Sequence, residues 1–215
     1  MALLHFLFWH SEDLVWEILG IMLYIAFMIW LIWVIYSRIT ARKILREGRN
    51  KKNFAFSYLS TRFSRLNTIR GVKLLIENSP EKHGKYIADL GLVFVNKGGI
   101  MIITTVPGSG FIDITEGGTW NRIVNDKFYS FEDPFIRSKE NVKSMKFFLR
   151  NEGVENIPVH DVVIFSGKRV KFSKRLNGLI TANEIAPFMS DVNKDKFLTS
   201  KEIRAVVKLL KQKSA

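Results

Sequence analysis

The stretch Gly99–Ile112, GIMIITTVPGSGFI, decides the fold. With Gly98 in front it makes fifteen consecutive residues without a charge, in a chain of 215 residues and formal net charge +13. Its first half is apolar and β-branched, as a buried strand is, and it then runs into a Pro107-Gly108-Ser109-Gly110 turn. Working backwards, Asn96-Lys97-Gly98-Gly99 supplies a hairpin turn, and Tyr86–Val95, YIADLGLVFV, is the strand before it. Working forwards, Phe111–Thr115 reads as a third strand, ended by Gly117-Gly118.

Helices bracket these strands. Residues 53–78 mix apolar and basic side chains at helix-like spacing (Phe63, Leu66, Ile69, Leu74, Leu75), which predicts one or two amphipathic helices ending near Ser79-Pro80. Asp133-Pro134 places a capping carboxylate before a proline at the first helical position. Ile136, Val142, Met145, Phe148 and Leu149 then line one face, and Gly153 is a C-terminal stop. Pro158–Phe165, PVHDVVIF, is a buried-looking strand. The order helix, three strands, helix, strand predicts a mixed α/β domain with one central sheet. A closing helix, Lys201–Lys213, has Ile203, Val206, Val207 and Leu210 on one face, which suits packing on the domain.

Further out lies a membrane signal. Ile18–Ser37 is twenty residues without a charge, long enough to cross a hydrocarbon core of roughly 30 Å. Glu12, Asp13 and Glu17 precede it; Arg38, Arg42, Lys43, Arg46, Arg49, Lys51 and Lys52 follow, against a single Glu47. By the positive-inside rule the chain is a single-pass protein of the cell membrane, with its N-terminus outside and its C-terminal domain cytoplasmic. Trp16, Trp33 and Tyr36 suit the two interfaces. A cleaved signal peptide would need a basic start and a shorter apolar core ending in small residues, and neither is present. The lipid bilayer is therefore the first partner the sequence predicts.

Cysteine is absent, which excludes disulfides and Cys-based zinc sites, and the four histidines (His5, His10, His83, His160) show no metal-ligand spacing. The basic excess does not end at the membrane. Residues 53–215 carry 26 cations against 16 anions, a net of +10, which predicts attraction to an anionic partner.

Four segments resemble the nuclease-related domain (NERD) family, a branch of the PD-(D/E)xK nuclease fold, over roughly Arg62 to Met189. IADLGLVFVNKGGIMII resembles the family's Ile-Asp, strand, Gly turn and second strand. GSGFI followed by Trp120 resembles its Gly-x-Ile and downstream Trp. DPFIRSKENV resembles its Asn-Pro-hydrophobic-x-Gln segment, and IPVHDVVIFSG its late strand. The resemblance implies a restriction-endonuclease-like mixed sheet flanked by helices. The chain then divides into a short outer N-terminus (1–13), a transmembrane helix (14–37), a basic juxtamembrane segment (38–61), the nuclease-related domain (62–189) and a C-terminal loop and helical extension (190–215).

In active members of such a fold, strand carboxylates hold a divalent cation, and a lysine two residues past one of them orients or polarises the attacking water. Matched residue by residue, the strand aspartate falls on Asp89. The Glu-x-Lys falls on Thr104 and Val106, and the early helical Gly-Glu on Gly71-Val72. One ligand of three remains, so the resemblance implies a fold kept without its chemistry. Asp89 also reads as a buried carboxylate capping backbone N–H groups. The enzyme alternative is a metal-dependent nuclease whose ligands have migrated to Asp113 or Glu116 beside Asp89, with Lys97 nearby, using Mg²⁺. As surface charges flanking turns, these residues need no such role.

A second motif lies in DVNKDKFLTSKE. Asp191, Asn193, Asp195 and Glu202 fall at positions one, three, five and twelve of an EF-hand loop. Lys196 stands where the sharp turn wants glycine, and three lysines oppose a cation, so the pattern argues against calcium. The competing reading has Thr199 or Ser200 capping the next helix, with Glu202 in its first turn. The expectation is thus a membrane-anchored, catalytically degenerate domain that binds nucleic acid or another protein and holds no resident cofactor.

Overall fold

In the computed structural model the described residues are 2–47, 53–79, 82–154 and 156–214; the side chains of 2–15, 17, 41–42, 44–47, 78–79 and 82–83 lie outside the description. The chain divides into two compact units, Met1–Arg42 and Lys43–Ala215. A helix, α1, covers Ala2–Glu47, and within it Ile18–Thr40 is 23 residues long and apolar enough to cross a membrane. At 1.5 Å per residue that is about 35 Å. None of its most apolar window is covered by protein, unlike the helix of a soluble core. Trp16, Trp33 and Tyr36 are exposed. Arg38, Arg42, Lys43 and Arg46 lie on the same helix, whereas Arg49, Lys51 and Lys52 lie outside the described residues.

The second unit contains a short helix, α2 (Phe54–Leu59), continued by a turn of π-helix, Ser60–Ser64. Phe54, Ala55, Tyr58 and Leu59 are buried, one face of two turns. The expected continuation of helix to residue 78 is wrong. Thr68–Ser79 is a strand, β1, paired antiparallel with β2 (Lys82–Asn96). The reason is a bulge: Gly71 has φ +70°, and the register shifts on either side of Val72. Val72, Leu74 and Ile76 alternate inward, while the extra residue puts Ile69 three positions before Val72 and imitates helical spacing.

Among the described residues two sheets are present rather than the one expected. The larger has the order β1-β2-β3-β7-β9, with β3 (Gly99–Val106) at its centre, β7 (Val159–Phe165) and β9 (Leu179–Thr181). β1, β2 and β3 form an antiparallel meander, and β3–β7 and β7–β9 are parallel. Asn96 pairs with Gly99 across the hairpin turn. The smaller sheet has the order β6-β5-β4-β8: β4 (Phe111–Asp113), β5 (Thr119–Val124), β6 (Lys127–Glu132) and β8 (Lys171–Phe172). The third strand read from the sequence therefore belongs to a different sheet.

Helix α3 (Pro134–Asn151) begins as expected, with Asp133 accepting the Phe135 N–H at 2.8 Å and Gly153 beyond its end at φ +70°. Met145, Phe148 and Leu149 pack on one face of the large sheet with Val93, Val95, Ile100 and Ile102. Helix α4 (Ile185–Val192) follows β9, and α5 (Ser200–Lys213) sends Ile203, Val206, Val207 and Leu210 into the same core as α3. On the alternate side of β2, the ring of Phe63 lies 5.9 Å from that of Phe94. Helices thus cover both faces of the large sheet.

Candidate functional site

Asp89 sits on β2 opposite Lys73 of β1, between buried Ala88 and Leu90. Its carboxylate accepts the Gly91 N–H at 3.1 Å, where Gly91 takes φ +65° at the bulge. Arg137 of α3 lies 4.0 Å from its other oxygen, and Asn141 donates to its backbone carbonyl at 3.3 Å. It is a capping carboxylate, but not a buried one: its side chain is 48% exposed.

Thr104 and Val106 lie at the end of the central strand, paired with Val163 and Phe165 of β7. The β2–β3 pairs run from Leu92↔Ile103 to Asn96↔Gly99, so Asp89 lies beyond their end. Val106 packs against the aromatic cluster of Trp120 and Phe165, and its carbonyl accepts the Ser166 N–H at 3.0 Å. The turn after it is held shut. A Cβ on Gly167 would overlap the Gly108 carbonyl, and Arg122 donates to the Pro107 carbonyl at 2.7 Å. Arg122 also lies over the Phe131 ring, 5.4 Å from its centroid, and burial lowers its pKa. Where the resemblance implies a carboxylate and an amine, this chain has Thr104 and Val106, followed by a turn that Gly167 and Arg122 hold closely. The third matched position, Val72, is a wholly buried strand residue rather than a helical one, which corrects its expected setting.

Asp113 and Glu116 lie on and after β4, in the other sheet; the Glu116 side chain is 98% exposed and 4.0 Å from Lys174. Lys97 is exposed in the hairpin turn, and its carbonyl accepts the Leu198 N–H. Among the described residues no three His, Asp or Glu side chains come together as a metal site would need. Mg²⁺ is held through one or two carboxylates together with waters and substrate phosphates. Asp89 is a single carboxylate, already bonded to a backbone N–H and faced by a guanidinium, and does not fit that ion.

The EF-hand-like loop is taken up differently. Asp191 accepts from Lys194 at 2.7 Å, and that contact raises the lysine's pKa. Glu202 accepts from both the backbone N–H and the hydroxyl of Thr199 at 2.7 Å, closing a capping box at the start of α5. Those bonds hold its carboxyl below the usual range. Lys196 adopts φ +49°, the left-handed turn that glycine would take at position six. Asn193 ends α4, and Asp195 is exposed in the loop.

Two features escaped sequence reasoning. The β5–β6 hairpin turns on Asn125-Asp126, both left-handed at φ +49° and +59°, and that dipeptide between two β-rich runs was its signal. Asp161 on β7 had none. One of its oxygens accepts the hydroxyl of wholly buried Ser138, and the other is buried without a partner. Burial pushes its pKa up, against the Ser138 bond and Lys139, with Asp133 adding to the rise.

No family model, curated protein or solved structure matches the chain.

Proposed function

We propose that the chain is a membrane-anchored, nuclease-related domain that holds nucleic acid at the cytoplasmic face of the cell membrane without cutting it. The observation that carries the reading is the end of the central strand. Thr104, paired with Val163 of β7, and Val106, packed against the aromatic cluster, stand where a nuclease of the resembled family keeps its carboxylate and lysine. Three things support the family part: the order helix, antiparallel meander, crossover helix, parallel strand; the Asp-Pro start of the crossover helix; and Trp120 in the core. Support for nucleic acid as the partner is electrostatic, from the 26 cations and 16 anions of residues 53–215. Support for the orientation is the basic run after the apolar helix.

The test uses the full chain in detergent with plasmid and Mg²⁺ or Mn²⁺. Retardation that weakens steeply with salt, with no nicking or linearisation, is the expected result. Cleavage abolished by Asp89→Ala would overturn the degenerate reading and restore a nuclease with relocated ligands. Binding that ignores salt would remove the electrostatic basis for the partner.

A further inference from the structure

Successive side chains of a strand point to opposite faces, and the smaller sheet shows this plainly. Ile112, Trp120 and Phe131 turn inward, into one cluster with Phe165. The opposite face therefore carries Phe111, Ile123 and Phe128. The register aligns them: Phe128 of β6 pairs with Ile123 of β5, Ile123 with Phe111 of β4, and Phe111 with Lys171 of β8. One straight row thus crosses all four strands, aromatic, aliphatic, aromatic, cation. Phe128 is 71% exposed and Phe111 39%. The neighbouring row is polar, with Ser130, Asn121 and Asp113 in register and the Ser130 hydroxyl donating to Asn121 at 2.8 Å.

Charge borders the row on one side. Residues 166–176 hold Lys168, Arg169, Lys171, Lys174 and Arg175 and no anion. Lys174 and Arg175 have acidic neighbours, Glu116 and Glu184, whereas Lys168, Arg169 and Lys171 have no ion pair among the described residues. We propose that this outward face is a stacking platform for single-stranded nucleic acid, with Phe128 and Phe111 each taking a base and Lys171, Lys168 and Arg169 the phosphates. The proposal rests on the nucleic-acid reading above and gives it a strand type and a site, distinct from the closed end of β3.

Strands lie about 4.8 Å apart, so the two rings, two strands apart, are separated by about 10 Å, room for two splayed bases over Ile123. A duplex keeps its base faces stacked inside and offers nothing to a flat aromatic row; a single strand offers them freely. A lipid surface is also anionic, but it selects projecting apolar wedges. Here Phe111 and Ile123 are paired strand residues, Ile123 half-buried, and the next row is made of hydrogen-bonding groups suited to base edges.

The experiment is anisotropy with a labelled oligothymidylate, its duplex with oligoadenylate, and vesicles containing anionic phosphatidylserine, using the full chain in detergent for the oligonucleotides and in nanodiscs for the vesicles. Single strand should bind more tightly than duplex. Phe128→Ala should weaken single-strand binding about tenfold or more and leave duplex binding unchanged, with Phe128→Trp restoring it. Lys171→Ala should lower the slope of affinity against salt by about one counterion. Because Phe128 is exposed, its variants fold, and circular dichroism checks this. If Phe128→Ala changes neither affinity while the chain still binds nucleic acid, the platform is wrong and the broader reading stands. If the chain binds no oligonucleotide at low salt, both fall. Loss of vesicle binding alone in Phe128→Ala would assign the face to lipid and overturn the proposal.

Discussion

Asp161 shows how one residue can set a pH dependence with no part in chemistry. Its partnerless oxygen is buried on β7 beside Ser138, within the field of Lys139 and Asp133, and burial raises its pKa. An acid with a raised folded pKa binds its proton more tightly when folded. Its stabilising contribution is full below the unfolded value and is lost as pH rises through the folded one. Asp161→Asn keeps an oxygen for the Ser138 hydroxyl and removes the titration. Thermal melts from mildly acidic to neutral pH should show the parent losing stability relative to this variant as pH rises. A parent that gained on the variant over that range would contradict the burial argument. Glu184 works the other way. Burial pushes it up, but the Thr181 hydrogen bonds and the 2.8 Å ion pair with Arg175 outweigh that and hold it below the usual carboxylate range.

Among the elements, the smaller sheet depends on Trp120. The indole is 1% exposed, and the rings of Phe135, Phe131 and Phe165 lie 6.1, 6.2 and 6.4 Å from it. Trp120→Ala should cost about 3–5 kcal/mol, read as a lowered denaturant midpoint, and should loosen the smaller sheet from α3 and β7. At the other end of the unit, Thr199→Ala removes the hydroxyl from the α5 capping box and should cost about 1 kcal/mol by the same measurement. Legibility in the sequence followed these local signals. The β2–β3 hairpin was readable from its Gly pair, α3 from Asp133-Pro134, and the inward face of α5 from its own period. β1 was misread because the Gly71 bulge gave apolar spacing of three where a regular strand has two. The smaller sheet was missed because its strands are three to six residues long or shorter still, and β8 pairs with β4 across some sixty residues of sequence, which no local pattern encodes. At the candidate site, the want of a carboxylate or an amine at Thr104 and Val106 was plain from the sequence. The sealing of the turn by Gly167 and Arg122 was not, since those residues meet it only through the tertiary fold.

On the scale of the whole molecule, the apolar helix and the basic α/β unit make separate demands. Ile29 lies midway along Ile18–Thr40, and Ile29→Arg should oppose insertion by about 2.5–3.5 kcal/mol. Carbonate extraction of a membrane fraction should then release the variant while the parent stays bound. The α/β unit raises a different matter, one of timing. Its central strand β3 and the neighbouring β7 run parallel, and residues 107–158 must be made before the second can pair with the first. During synthesis the meander β1–β2–β3 can therefore form early and wait with one edge open, and that edge is the uncharged run from Gly99 to Val106. Pulse-labelling hydrogen exchange during refolding should find β1–β3 amides protected before those of β7 and β9. An apolar, β-branched edge left waiting is where two nascent chains would join by mistake. The segment that keeps the finished sheet together is thus the one most exposed to misassembly while the chain is still being made.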